Sequence, residues 1–379
     1  MNETGKKEKI IGITILAIII IFTIIWKSTT NNTNQSDSPK LKVVIGAIGG
    51  GKENLLADPD FIEILEKKYN LDFLNDQWSN GKMIIDPLKR PNSGINYDFA
   101  FFSDQRFYDY YKNAPDKSKG EADRYRVTSG GLTLNTPIVI YSWDTVTDAL
   151  IKEGIVTKTN DVYYITDMNK LLEYILEGKK WNDLGVDVYG KINIDSTDPV
   201  TSSPGATYYG LLLSIMNQKD VTEENIQEIL PKLKEFYIKS GYMNNTPADL
   251  FEMYLKTGVG AKPMIVDYEK SIIDFANSNP EGYETVKDKI RILYPTPTIW
   301  NSHCLASFNE TGDKIVKAFN DKEISSLAWE KYGFRTGVTG GNYDVSKVKV
   351  KGIPQTVDSV VPGLKINIYD LLINHLKTK

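Results

Sequence analysis

The chain has 379 residues, enough for two lobes rather than one small domain. Its 41% hydrophobic and 25% charged residues are a globular composition, and a formal charge of −4 without any basic run excludes a nucleic-acid surface. One cysteine excludes an intramolecular disulfide framework, and with only two histidines a His/Cys metal centre lacks ligands.

Residues 10–26, IIGITILAIIIIFTIIW, form an uncharged apolar run, about 25 Å long as a helix and at the short end of what spans a bilayer. Lys6, Lys7 and Lys9 precede it and Lys27 alone follows closely, so the positive-inside bias puts residues 1–9 in the cytoplasm and the rest outside the cell. Trp26-Lys27-Ser28-Thr29-Thr30 offers no small-residue cleavage site, and the run reads as an uncleaved signal anchor. Residues 27–40 are polar and form a flexible tether. Removing the four lysines and two glutamates of residues 1–27 leaves 41 basic against 47 acidic residues in the exported part.

The exported part begins with an expected strand, residues 42–48, running into Gly49-Gly50-Gly51-Lys52-Glu53. The spacing Gly46-x-x-x-x-Gly51-Lys52 matches a P-loop, but Glu53 stands where that motif has the hydroxyl that holds Mg²⁺. The compartment is also wrong for ATP, and what remains is a glycine turn whose backbone N–H groups are free to approach a ligand. Asp58 and Pro59 open a helix with Phe61, Ile62, Leu65 and Tyr69 facing a core. Residues 97–104, YDFAFFSD, and 136–143, TPIVIYSW, are further strands.

Residues 167–176 read as a helix and 190–194 as a short strand. Then follows DSTDPVTSSPG, residues 195–205, with Ser203 as helix cap, Pro204 in the first turn and Gly205 leaving the backbone accessible. Amphipathic helices are expected over 221–237, 246–257 and 268–277, strands over 261–267 and 290–294, and a helical pair over 313–320 and 325–333. The alternation argues an open α/β sheet. Polar clusters fall at strand ends, where such sheets bind ligands: Gly49, Gly50 and Gly51; Ser103 and Asp104; Thr197, Asp198, Ser202, Ser203 and Gly205; Tyr268 and Glu269. The amides and hydroxyls among them can donate to an anion, whereas Asp104, Asp198 and Glu269 suit a cationic or hydroxylated ligand. Nucleophilic catalysis is poorly served: no GxSxG elbow occurs, and His303 and Cys304 on one strand point to opposite faces. No cofactor is called for, and the chain does not read as an enzyme.

In this order the segments resemble the extracellular solute-binding proteins of type II, two-lobed receptors with a periplasmic-binding-protein-like fold. Residues 43–52 resemble their first strand and ligand loop, and 97–104 the second ligand strand with its serine loop. Residues 136–143 resemble the strand that crosses to the second lobe. Residues 195–205 are similar to the loop whose helix start faces the cleft, and 264–274 to the segment that brings a tyrosine and a glutamate to the ligand. Residues 292–303 resemble the return crossover, and 318–335 the closing helices ending in Gly333-Phe334-Arg335. The tail, residues 352–362, is similar to that of a subgroup often joined to von Willebrand factor A domains. The resemblance implies lobe one over 41–137 and 295–379, lobe two over 138–294, and hinges near Pro137 and Pro295. It also implies a small anionic or polar ligand between the lobes, in contact with the site residues named above, and as partners the membrane and a transporter permease or a von Willebrand factor A-type protein. The alternative function is a surface sensor or assembly protein that uses the same fold for a protein partner.

Overall fold

The structure, a computed structural model, describes residues 40–79, 96–113, 126–218, 220–336 and 343–378. The expected cytoplasmic segment 1–9, the anchor 10–26 and all of the tether but Lys40 lie outside these residues. Among the described residues, no helix is long and apolar enough to cross a membrane.

Eleven strands are described: β1 (Lys42–Gly49), β2 (Leu71–Ser79), β3 (Phe99–Phe102), β4 (Ser129–Trp143), β5 (Val156–Thr159), β6 (Val162–Ile165), β7 (Met264–Tyr268), β8 (Ile290–Pro295), β9 (Thr298–Ser307), β10 (Arg335–Thr336) and β11 (Val360–Val361). Around them lie helices α1 (Glu53–Leu56), α2 (Pro59–Tyr69), α3 (Gln105–Asn113), α4 (Asp144–Lys152), α5 (Met168–Glu177), α6 (Ser203–Asn217), α7 (Ile226–Lys239), α8 (Pro247–Thr257), α9 (Glu269–Ser278), α10 (Pro280–Val286), α11 (Glu310–Phe319), α12 (Lys322–Glu330) and α13 (Ile366–Lys377). The strand order is β2-β1-β3-β9-β4-β8-β6-β5, with β7 and β10 also on β4 and β11 on β9.

The long strand β4 belongs to both halves of this sheet. Up to Pro137, which is paired with Trp300, it lies against β9; from Ile138, paired with Tyr268, it lies against β7 and then β8. Proline has no N–H to give a ladder, and it stands at the step where β4 changes partner. The chain returns between Pro295 and Thr298, from β8 in one half to β9 in the other. Thr298 Oγ1 ties the two crossings by donating to the Ile138 carbonyl at 2.6 Å.

Each half has its own apolar core. In the first, Val44, Ile48, Phe61, Leu65, Phe99, Phe101 and Phe319 pack together on one side of the sheet, and Ala47, Phe102, Tyr111 and Cys304 on the other. Asp58 caps α2 by accepting from Asp60 N–H at 2.8 Å, as Asp-Pro predicts. In the second, Ile138, Ile140, Leu171, Tyr208, Leu212, Leu233 and Ile265 form the centre.

Three sequence expectations change. Residues 190–194 form no strand: Lys191 makes an isolated bridge with Lys180, and the pairing with β7, Asp195 with Ile265, comes only after them. The cap of α6 is Ser202, and Ser203 is already its first helical residue. The tail, expected with the first lobe, sends Val348, Val350, Ile353, Leu364, Ile368, Leu372 and Leu376 into the second half's core. Its helix α13 touches both halves: Tyr369 stacks on the Arg106 guanidinium at 4.3 Å, and Lys234 on α7 donates to the His375 carbonyl at 3.2 Å.

Candidate functional site

A cavity of about 830 Å³ lies between the halves. The first half supplies the turn after β1 (Gly50, Gly51, Lys52, Glu53, Asn54), Ser103 after β3, and Asn301 and His303 on β9. The second supplies Ser202 and Ser203 at the start of α6, Phe251 on α8, and Asp267, Tyr268, Lys270 and Asp274 around the β7–α9 junction.

The floor of the cavity has a hydrogen-bond order that can be read atom by atom. Asn301 and His303 are two apart on β9 and therefore share a face. Asn301 Nδ2 donates to the Ser103 carbonyl at 3.1 Å, and a carbonyl only accepts, which fixes which end of the amide is nitrogen. The same nitrogen lies 3.0 Å from His303 Nε2, so Nε2 accepts and the proton of the neutral ring sits on Nδ1. Burial first, then Lys52 and Lys270, hold the His303 pKa well below its ordinary value, so the ring is neutral. Two groups are left over: the acceptor Asn301 Oδ1 and the donor His303 Nδ1–H, both buried and without a protein partner. Asp267 is buried near them, and its Oδ1 accepts from Tyr268 N–H at 2.7 Å. An unsatisfied buried polar group costs about 1–3 kcal/mol, and the two residues that carry these groups line one cavity.

Lys52 is 1% exposed. Its Nζ turns back on its own loop, donating to the Gly49 carbonyl at 2.5 Å and the Gly50 carbonyl at 3.3 Å, and sits 4.7 Å from the Phe101 ring centre. Burial lowers its pKa to about 7. Glu53 also turns back: its Oε1 and Oε2 accept from Gly51 N–H at 2.9 and 2.8 Å. Across the cavity, Asn54 Nδ2 donates to Asp274 Oδ2 at 3.0 Å and links the two halves.

Of the residues selected from sequence, Gly50, Gly51, Ser103, Ser202, Ser203 and Tyr268 line this cavity. The others are placed differently. Gly49 lies behind the wall, where a Cβ would come within 2.9 Å of the Ser103 backbone N and Oγ. Asp104 forms a two-point pair with Arg106, Oδ1 accepting from Nε at 2.9 Å and Oδ2 from Nη2, and borders a separate cavity beside the tail. Thr197 Oγ1 accepts from Ser202 Oγ at 2.9 Å, and Asp198 Oδ1 accepts from Val200 N–H at 2.9 Å, so both shape the loop. Gly205 packs on that loop, since a Cβ there would meet the Thr197 carbonyl oxygen at 2.2 Å. Glu269 is fully buried, in an ion pair with Arg335. Its neighbour Tyr268 reaches the cavity and it does not, because the chain turns into α9 between them. His303 and Cys304 do point to opposite faces, His303 toward Phe101 and Phe334 and Cys304 into the other core layer. Asn301, Asn54 and Lys270 had no motif to mark them, and Glu53 was marked only as the break in the P-loop spacing. Among the described residues, no group of three or more His, Cys, Asp or Glu is placed to hold a metal ion.

No protein-family model matches the sequence, and no curated protein matches it. Solved structures do match its fold. An extracellular solute-binding protein from Bordetella parapertussis superposes with a TM-score of 0.56 at 13% identity, over 89% of this chain and 97% of that one. This is the fold of solute-binding proteins. An ABC transporter protein from Clostridium perfringens gives 0.53 at 15% identity, over 88% of this chain and 98% of the other. A periplasmic thiamin binding protein gives 0.53 at 11% identity, over 90% and 96%. At these identities the likeness is one of fold alone.

Proposed function

We propose that the chain is an extracellular solute-binding receptor, without catalytic activity, that holds a small polar solute between its two lobes. In this reading residues 10–26 anchor it to the cell membrane, the globular part stands outside, and the captured solute passes to the permease of an ABC-type transporter. The single observation that carries the reading is the pair of unpartnered buried atoms, Asn301 Oδ1 and His303 Nδ1, on residues that line a cavity bordered by both halves of the sheet. A solute that pairs with them removes a standing cost, and because it touches both lobes it favours their closed arrangement. The fold shared with an ABC transporter protein and a thiamin binding protein supports the same role.

Isothermal titration of the full chain in detergent with amino acids, sugars, nucleobases and oxyanions tests this. At least one solute binds, and Asn301→Ala weakens it about tenfold, the worth of one buried hydrogen bond. A folded protein that takes up none of these solutes contradicts the proposal.

A further inference from the structure

We infer that the cleft takes a polar organic solute of no net charge, and that Glu53 is the residue that turns anions away. The inference rests on the solute-binding reading above and deepens it. A glycine turn at a strand end offers backbone N–H groups to an anion, but in this chain that place is taken. Both carboxylate oxygens of Glu53 lie within 2.9 Å of Gly51 N, so an oxyanion approaching the turn meets a negative charge where it needs a donor.

The cations of the cleft are equally committed. Among the described residues that line it there is no arginine, and two lysines stand against four acidic residues, Glu53, Glu252, Asp267 and Asp274. Lys52 spends its Nζ on two carbonyls of its own loop, and Lys270 lies 4.0 Å from Asp274 with its Nζ 5.0 Å from the Phe334 ring centre.

The groups left free are complementary in kind. His303 Nδ1–H donates and Asn301 Oδ1 accepts, and both side chains are at most 2% exposed. A fully ionised oxyanion offers acceptors only; it would satisfy the histidine and set lone pair against lone pair at the asparagine. A neutral amide, lactam or polyol carries donors and acceptors together and satisfies both. At about 830 Å³ the cavity also exceeds what a tetrahedral oxyanion fills, and Phe251, Phe275, Tyr268 and Phe334 give it aromatic walls suited to a ring.

The test is titration of the full chain in detergent with three groups of probes: uracil, hypoxanthine, nicotinamide, glucose and glutamine as solutes of no net charge; sulfate, phosphate and molybdate as oxyanions; and choline and spermidine as cations. Glu53→Gln and Glu53→Ala are measured beside the unaltered protein, with thermal melts to confirm that both fold. A member of the uncharged group binds the unaltered protein and the oxyanions do not. Both variants gain at least about tenfold toward an oxyanion, since removing a like charge from a contact is worth more than one factor of ten. Binding of only an oxyanion or only a cation by the unaltered protein overturns the inference and leaves the receptor reading standing. Variants that fold and bind oxyanions no better overturn the role of Glu53. If no probe of any group binds, the inference and the receptor reading fall together.

Discussion

Arg335 holds Glu269 by two contacts, Nε to Oε1 at 2.7 Å and Nη2 to Oε2 at 2.9 Å, with both side chains at most 2% exposed. Tyr294 Oη adds a third bond to Oε2 at 2.7 Å. Arg335 lies on β10 against the first part of β4, whereas Glu269 follows β7 against the second part, so the pair braces the crossing between the halves. Removing one partner leaves the other charge buried and alone. Glu269→Ala therefore destabilises the protein by about 3–5 kcal/mol, read by denaturant unfolding without ligand. A folded variant of unchanged stability that had lost solute binding would return Glu269 to the ligand site.

Two cavity groups give the stability a defined pH dependence. Burial pushes the Asp267 carboxyl up to about 7 from 3.8, against the Tyr268 N–H, Ser271 and Lys270, which act the other way. Between those values the unfolded chain has lost this proton and the folded one keeps it, so stability falls as pH rises from about 4 to 7. Lys52, lowered to about 7 from 10.5, is neutral in the folded chain and charged in the unfolded one over the next window, so stability rises from about 7 toward 10. Asp267→Asn flattens the acid-side slope and Lys52→Met the alkaline one, both measured as melting temperature against pH. An unaltered slope in either variant contradicts the assignment.

At Gly205 the start of α6 sits on the Thr197 carbonyl with no room for a methyl group. Gly205→Ala forces the helix away from the 195–202 loop, at a cost of roughly 1–3 kcal/mol as overpacking. Because the same movement shifts Ser202 and Ser203, solute affinity falls together with stability. Calorimetry of the variant checks both.

The link from Asn54 to Asp274 is exposed and joins the halves across the mouth of the cleft. In the receptor reading it belongs to the closed arrangement. Asn54→Ala then speeds solute release by up to about fivefold, roughly 1 kcal/mol for one solvent-exposed bond, with little change in association. Stopped-flow dissociation measures this; a change confined to the association rate would place the link outside closure.

Much of the fold was legible where pattern and turn chemistry agreed. The strand read over 136–143 is part of β4, which changes partner after Pro137, where the resemblance placed a hinge. Asp58-Pro59 and Asp167 mark helix starts, and the side chains of both aspartates cap. The lining of the cavity was legible at its edges, in Gly50, Gly51, Ser103, Ser202, Ser203 and Tyr268, because strand ends and helix starts leave a local signal. Its floor left none: Asn301-Ser302-His303 is a polar run on the long strand β9, and the hydrogen bond that orients Asn301 goes to the Ser103 carbonyl 198 positions away. The carboxylates misled for the opposite reason. Asp104 has Arg106 two positions on, a partner close enough to suspect, whereas Glu269 finds Arg335 66 positions later. The tail's alternating Val348 and Val350 indicate burial, but only the folded chain shows against which half.

Closure on a solute is the central claim, and a distance measured between the lobes tests it most directly. Lys67 on α2 and Tyr189 in the second half are exposed, and the native Cys304 is buried, so the double variant Lys67→Cys and Tyr189→Cys accepts one spin label on each lobe. Pulsed electron–electron resonance on the full chain is recorded without solute and with the tightest binder from the titration panel. A broad distance distribution that sharpens and shifts when the solute is added is the predicted result, with the shift lost in Asn301→Ala at the same solute concentration. An identical distribution with and without bound solute would contradict the account.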